Sequence, residues 1–209
     1  MSGMSGTATR YLYLVRHGEA LPDESGLTEH GRRQAVLLGQ RLLDSPISVV
    51  HHGPLPRATQ TAHLIQDQLD GAALQASEAA GDYPPHIPLR EELPPESADF
   101  LRFLDQFTPS ERERGPVLAR EALEQFTGPV TGSEARHELV VTHNFLVGWL
   151  VRDAMDAPKW RWLGLNHGNA ALTVIRYTPG RPAAVLFYND MRHLSAELRW
   201  TGFPPEMHL

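Results

Sequence analysis

A chain of 209 residues, 41% hydrophobic and 21% charged with a formal net charge of -6, is long enough to bury a sizeable core and suits one compact domain. The acidic balance, with no run of Lys or Arg, excludes a footprint for a nucleic-acid backbone, so no nucleic-acid partner is expected and any anion must be held locally. Zero cysteines exclude disulfides and Cys nucleophiles. The polar start "MSGMSGTATR" and the shortness of the longest apolar run, "FLVGWLV", lead to the expectation of a cytoplasmic protein with no membrane partner.

In chain order, residues 1–10 read as a disordered tail and 11–209 as a single domain. Residues 11–16, "YLYLVR", alternate like a buried strand. Thr28 is a candidate N-cap for a helix over 28–44, whose Ala35, Leu38, Leu42 and Leu43 share one face. "ISVVHH" is β-branched and predicts a second strand. The segment after it places Pro54 near a helix start and an apolar stripe on Ala58, Ala62, Ile65 and Leu69. Residues 71–95 are rich in Pro and acidic groups and read as an ordered surface excursion. Helical patterns over about 97–107 and 110–126 come next. "HELVVTH" then predicts a strand, "NFLVGWLVRDAM" a helix, and "NAALTVIRY" with "AAVLFYN" a pair of strands around "TPGRP". Strands alternating with helices call for an α/β fold with a largely parallel sheet covered on both faces.

Ligands in such sheets bind beyond the carboxyl ends of the strands. Arg16 and His17 follow the first strand, Arg57 follows the second, and His143 follows "LVVT". Two guanidinium forks and two imidazoles at one rim suit a compact dianion, and phosphate is the natural guest. A neutral imidazole with a free ring nitrogen can also accept a phosphoryl group. His17, next to the permissive Gly18, is the candidate nucleophile, and His143 the candidate oxyanion donor.

"LVRHGEA", "LTEHGRRQA", "PLPRATQTA", "LREE" and "VVTHN" occur in this order between residues 14 and 144. The chain thereby resembles the histidine phosphatase superfamily, the phosphoglycerate mutase-like family. The resemblance implies a three-layer α/β/α sandwich and a phosphomonoesterase that forms a phosphohistidine on His17, without metal or other cofactor. It also implies Arg16 and Arg57 as phosphate-binding residues, with His143 both binding phosphate and taking part in catalysis. The family's proton donor follows a Leu-x-Glu pattern, which falls on Leu89, Arg90 and Glu91; the adjacent Glu92 is the alternative.

The pattern has departures. Ala20 and Asp23 stand where many members have Ser and Asn, and Gly53 replaces a Ser. An inward Asp23 would repel phosphate, so it must face away or the loop must differ. The long insertion typical of mutases is missing between Glu91 and His143, which favours a phosphatase. The C-terminal part resembles the branch containing protein serine/threonine phosphatases. The alternatives are a mutase-type phosphotransferase and a non-enzymatic phosphate-binding module. The expected substrate is a phosphorylated small molecule or a phosphoprotein, and the oligomeric state is open.

Other signals are weaker. His51 and His52 point to opposite faces of a strand and cannot easily share a metal. "HELVV" lacks the second histidine of a zincin. His167 in "LNHGN" is more plausibly loop chemistry than a pocket residue, and Trp149, Trp160 and Trp162 read as packing groups.

Overall fold

The computed structural model describes residues 6–208. Six strands form one sheet in the order β3-β2-β4-β1-β5-β6: β1 (Arg10–Arg16), β2 (Ile47–His52), β3 (Ala73–Ala76), β4 (Arg136–Thr142), β5 (Leu172–Tyr177) and β6 (Ala184–Asp190). β1, β2, β3 and β4 run parallel, whereas β5 is antiparallel to both of its neighbours, β1 and β6. Successive side chains of β1 serve opposite faces, as the pleat requires. Leu12 and Leu14 enter one core and Val15 the other.

Helices cover both faces and complete three layers. α1 (Glu29–Arg41) and α2 (Pro56–Gln66) pack Ala35, Leu38, Ala62 and Ile65 with Val15, Val50, Leu139 and Val141. On the other face lie α3 (Ala98–Leu104), α4 (Pro109–Phe126) and α5 (Asn144–Ala154), whose Ala119, Phe126, Leu146 and Leu150 join Leu12, Leu14, Val140 and Ile175. Leu38, Ile65, Leu146 and Leu150 are fully buried, and each such side chain contributes about 1.5–3 kcal/mol.

Thr28 caps α1, its hydroxyl accepting from Gly31 N–H at 3.0 Å. Two expectations need correction. Residues 6–10 do not form a loose tail: Thr7 and Ala8 N–H both donate to Val130 O at 2.8 Å, and β1 already begins at Arg10; the rest of the expected tail, 1–5, lies outside the described residues. The excursion also contains an unforeseen strand, β3, parallel to β2. Among the described residues, no helix is long and apolar enough to cross a membrane.

Candidate active site

The carboxyl ends of the parallel strands β1, β2 and β4, with the chain leading into the antiparallel β5, are stapled together beneath the site. His17 N–H donates to Thr142 O at 2.9 Å, Gly53 N–H to Val141 O at 3.1 Å, and Ala170 N–H to Arg16 O at 2.9 Å. Glycine is required where these ends crowd their neighbours. A Cβ on Gly18 would lie 2.5 Å from Gly31 O, and one on Gly53 would lie 2.5 Å from Ala80 O. Gly18 therefore serves the approach of β1 to α1, and Gly53 stands where a Ser would clash.

A cleft of about 460 Å³ opens above them, lined by Arg16, His17, Arg57, Asp82 and the loop around Glu24. His17 Nδ1 lies 2.7 Å from Gly18 O. A carbonyl can only accept, so Nδ1 carries the proton and Nε2 keeps its lone pair. Burial, reinforced by His143 and Arg16, holds the His17 pKa well below 6.5. The His143 ring is 5.0 Å from that of His17; its pKa is lowered to about 3 by burial and by the two arginines. Both imidazoles are thus neutral near pH 7.

Arg16 donates to His167 O at 2.9 Å, and burial lowers its pKa to about 10. Arg57 is buried and donates through Nη2 to Asp82 Oδ2 at 2.8 Å. Its Nη1 lies 3.1 Å from Glu24 Oε2, an ion pair without hydrogen-bond geometry. Arg16 Nε, Arg57 Nη1 and both ring nitrogens of His143 are buried with no hydrogen-bond partner. Buried polar atoms are rarely left so, and these belong to the residues that surround His17.

Arg16, His17, Arg57 and His143 are therefore brought together, and Glu91 is not. It sits exposed on a single 3-10 turn, Arg90–Glu92, and does not line this cleft. Glu92 is occupied locally, accepting from Leu89 N–H at 2.7 Å and facing His86 at 3.1 Å. Three carboxyls line the cleft, Glu19, Glu24 and Asp82, and Asp82 is the one that reaches both Arg57 and His143. Its Oδ2 is also 3.4 Å from His143 Nδ1, and 31% of its side chain stays open. Burial pushes the Asp82 pKa above the ordinary 3.8, against the opposing pull of Arg57.

Asp23 faces away, its Oδ1 accepting from Ser25 N–H and Oγ–H at 3.1 and 2.7 Å; the loop instead turns Glu24 toward the arginines. The His167 ring is fully buried beside Thr173 Oγ1, at 2.8 Å, so this residue serves the site through its carbonyl. The sequence gives no signal for Asn169; its amide donates to His17 O at 2.8 Å and steadies the backbone of His17. Among the described residues no His, Asp and Glu grouping suits a metal ion.

Comparison with known proteins matches residues 12–190 to the model of the histidine phosphatase superfamily, branch 1. The chain belongs to this superfamily. It is 30% identical over 196 residues to the mitochondrial serine/threonine-protein phosphatase Pgam5 of Caenorhabditis elegans, covering 90% of this chain and 65% of that protein. The Caenorhabditis briggsae counterpart is 29% identical over 197 residues, with 90% and 66% covered. The chain thus spans just under two thirds of the length of these relatives. A phosphoglycerate mutase from Plasmodium falciparum shares the fold, with a TM-score of 0.60 at 19% identity over 91% of this chain and 96% of that one. The expectation of a cytoplasmic location is overturned by the same comparison, because both relatives are described as mitochondrial.

Proposed function

We propose that the cleft hydrolyses phosphate monoesters in two steps through a phosphohistidine on His17. The supporting observation is the set of unpartnered, buried nitrogens on Arg16, Arg57 and His143, grouped around an imidazole whose Nε2 is free. Three phosphoryl oxygens supply the acceptors these groups lack.

In the first step His17 Nε2 forms a bond to phosphorus as the ester P–O bond breaks, and the leaving oxygen takes the proton of Asp82. Arg16, Arg57 and His143 hold the equatorial oxygens and stabilise their charge in the transition state. In the second step Asp82, now a carboxylate, takes a proton from water. The water oxygen bonds to phosphorus, the N–P bond breaks, and phosphate leaves with Asp82 reprotonated. Asp82 replaces Glu91 in this role because it stands beside Arg57 and His143. The raised pKa of Asp82 extends its protonated fraction toward neutrality. Cleavage of a poor leaving group then weakens as pH rises through that value, while His17 stays neutral over the same range. The relatives' names put serine/threonine phosphoproteins among the substrates to screen.

The test is hydrolysis of phenyl phosphate from pH 4 to 8 without added metal. His17→Ala is expected to abolish turnover, Asp82→Asn to lower kcat by about 10²–10⁴-fold, and Glu91→Gln to leave it within about twofold, the range of an exposed side chain off the reaction path. Turnover indifferent to His17 sinks the proposal. Phosphate binding without turnover in the wild type would point to the binding module instead.

A further inference from the structure

We propose that an aromatic groove beside the cleft is a substrate subsite for an aromatic ring carried by the organic part of the phosphate monoester. The groove, of about 300 Å³, is lined by Phe100 and Phe103 of α3, Phe145 of α5, Trp162, and Phe203 and Met207 of the C-terminal segment. No charged side chain lines it; its polar side chains are the amides Asn144 and Asn166.

The groove adjoins the catalytic cleft along two stretches of chain. The Phe203 ring lies 5.0 Å from the Arg16 guanidinium, and the preceding Gly202 lines the cleft. Asn144, on the groove wall, directly follows His143. A molecule whose phosphoryl group is held by Arg16 and His143 therefore has this groove as its apolar neighbour. The wall is also stiff. Phe145 packs edge-on against Phe103 at 5.6 Å and against Trp162 at 5.3 Å, and Phe103 meets Phe107 edge-on at 5.4 Å. Exposed ring edges and faces in such an array complete the same offset and edge-to-face contacts with an incoming ring. The volume falls at the small end of ligand pockets and fits one or two rings.

A polyhydroxylated sugar or glycerate fits this wall poorly, because its hydroxyls would lose water with few partners in return. Three basic side chains of the excursion and α4 are engaged elsewhere. Arg112 donates to Phe107 O and Leu104 O, Arg90 to Pro94 O and Pro95 O, and Arg114 to Glu78. Charge thus favours an uncharged aromatic group.

The substrate assignment rests on the phosphatase reading, and two measurements separate them. Calorimetric Kd values for 2-phenylethylphosphonate and ethylphosphonate read the groove without turnover; hydrolysis of 2-phenylethyl phosphate and ethyl phosphate reads the chemistry. The wild type is expected to prefer the phenyl-bearing ligand and ester by about 10–100-fold, the range for burying an aromatic side chain. Phe100→Ser and Met207→Ser, at the partly open rim, should cut that preference to about threefold or less while ethylphosphonate binding stays within about twofold. Equal Kd values for the two phosphonates, or a preference untouched by both variants, overturn the subsite. Discrimination between phosphonates with no hydrolysis of either ester upholds the subsite and removes the phosphatase reading.

Discussion

Asp82 and Glu24 compete for one guanidinium, and their different surroundings separate their roles. Asp82 bonds the Nη2 end of Arg57 at 2.8 Å and stays with its partner inside the cleft. Glu24 reaches the Nη1 end at 3.1 Å from a loop, with 68% of its side chain exposed. Its backbone has φ +59°, in the left-handed region that non-glycine residues occupy at a cost of about 1 kcal/mol. The turn pays that cost through bonds of its own, Leu21 N–H to Gly26 O and Glu24 N–H to Leu21 O, both 2.9 Å. Glu24 is therefore a carboxylate held where a phosphate oxygen would meet Arg57. An exposed pair of this kind is worth about 0.2–1 kcal/mol. Glu24→Gln is expected to lower the inhibition constant for inorganic phosphate by about 1.5–5-fold with kcat unchanged. A constant that rises on substitution would show that Glu24 assists binding.

At the scale of elements, α1 shows how a helix becomes readable. Thr28 supplies a side-chain acceptor for Gly31 N–H, and Ala35 and Leu38 recur at helical spacing toward the core. Thr28→Ala is expected to cost about 1 kcal/mol in urea denaturation; a loss within error would mean that tertiary packing alone fixes the start of the helix. β1, β2 and β4 were legible for a similar reason, since their buried apolar residues are continuous or alternate, and they delivered Arg16, His17, Arg57 and His143 to one edge. β3 was not legible. Its four residues, "ALQA", form a short, largely exposed edge strand with no β-branched or aromatic side chain, so composition alone marks no strand there. Without β3, the sequence does not indicate that the chain just beyond it returns to the edge that holds Arg57 and His143, so Asp82 carries no signal there. The Leu-x-Glu pattern then drew the acid to Glu91, on a 3-10 turn whose local bonds explain its sequence without any catalysis. The aromatic groove was equally hidden, because it joins α3, α5 and the C-terminal segment, which are far apart in sequence.

For the whole molecule, burying histidine carries a consequence for stability. His17 lies well below 6.5, His143 and His167 are lowered to about 3, and His193 to about 4, in each case chiefly through burial. These rings are neutral in the fold, while the unfolded chain protonates near pH 6.5. Their contribution is complete above pH 6.5 and is lost as pH falls from there toward 3–4, where the folded rings at last titrate. Each ring can remove up to about 1.4 kcal/mol per pH unit in that window. Asp82 acts in the opposite sense, its burial penalty being relieved by acid, but only near and below its own raised value. The urea midpoint is therefore expected to fall steadily between pH 6.5 and 5. A midpoint constant over that interval would mean that the rings gain protons in the folded state as readily as in the unfolded one. Two of these four rings, His17 and His143, sit at the proposed active site, so the groups proposed for the chemistry also add to the acid sensitivity of the fold.

The most direct test of the catalytic account is to quench the reaction with ³²P-labelled 4-nitrophenyl phosphate within milliseconds and locate the label. That leaving group departs without a proton, so Asp82→Asn should still be phosphorylated but release phosphate slowly. The expected result is a label stable to alkali and labile to acid, mapped to His17, accumulating in Asp82→Asn and missing from His17→Ala. A protein that hydrolyses the ester rapidly while never carrying label, or that carries it in His17→Ala, would contradict the phosphohistidine route.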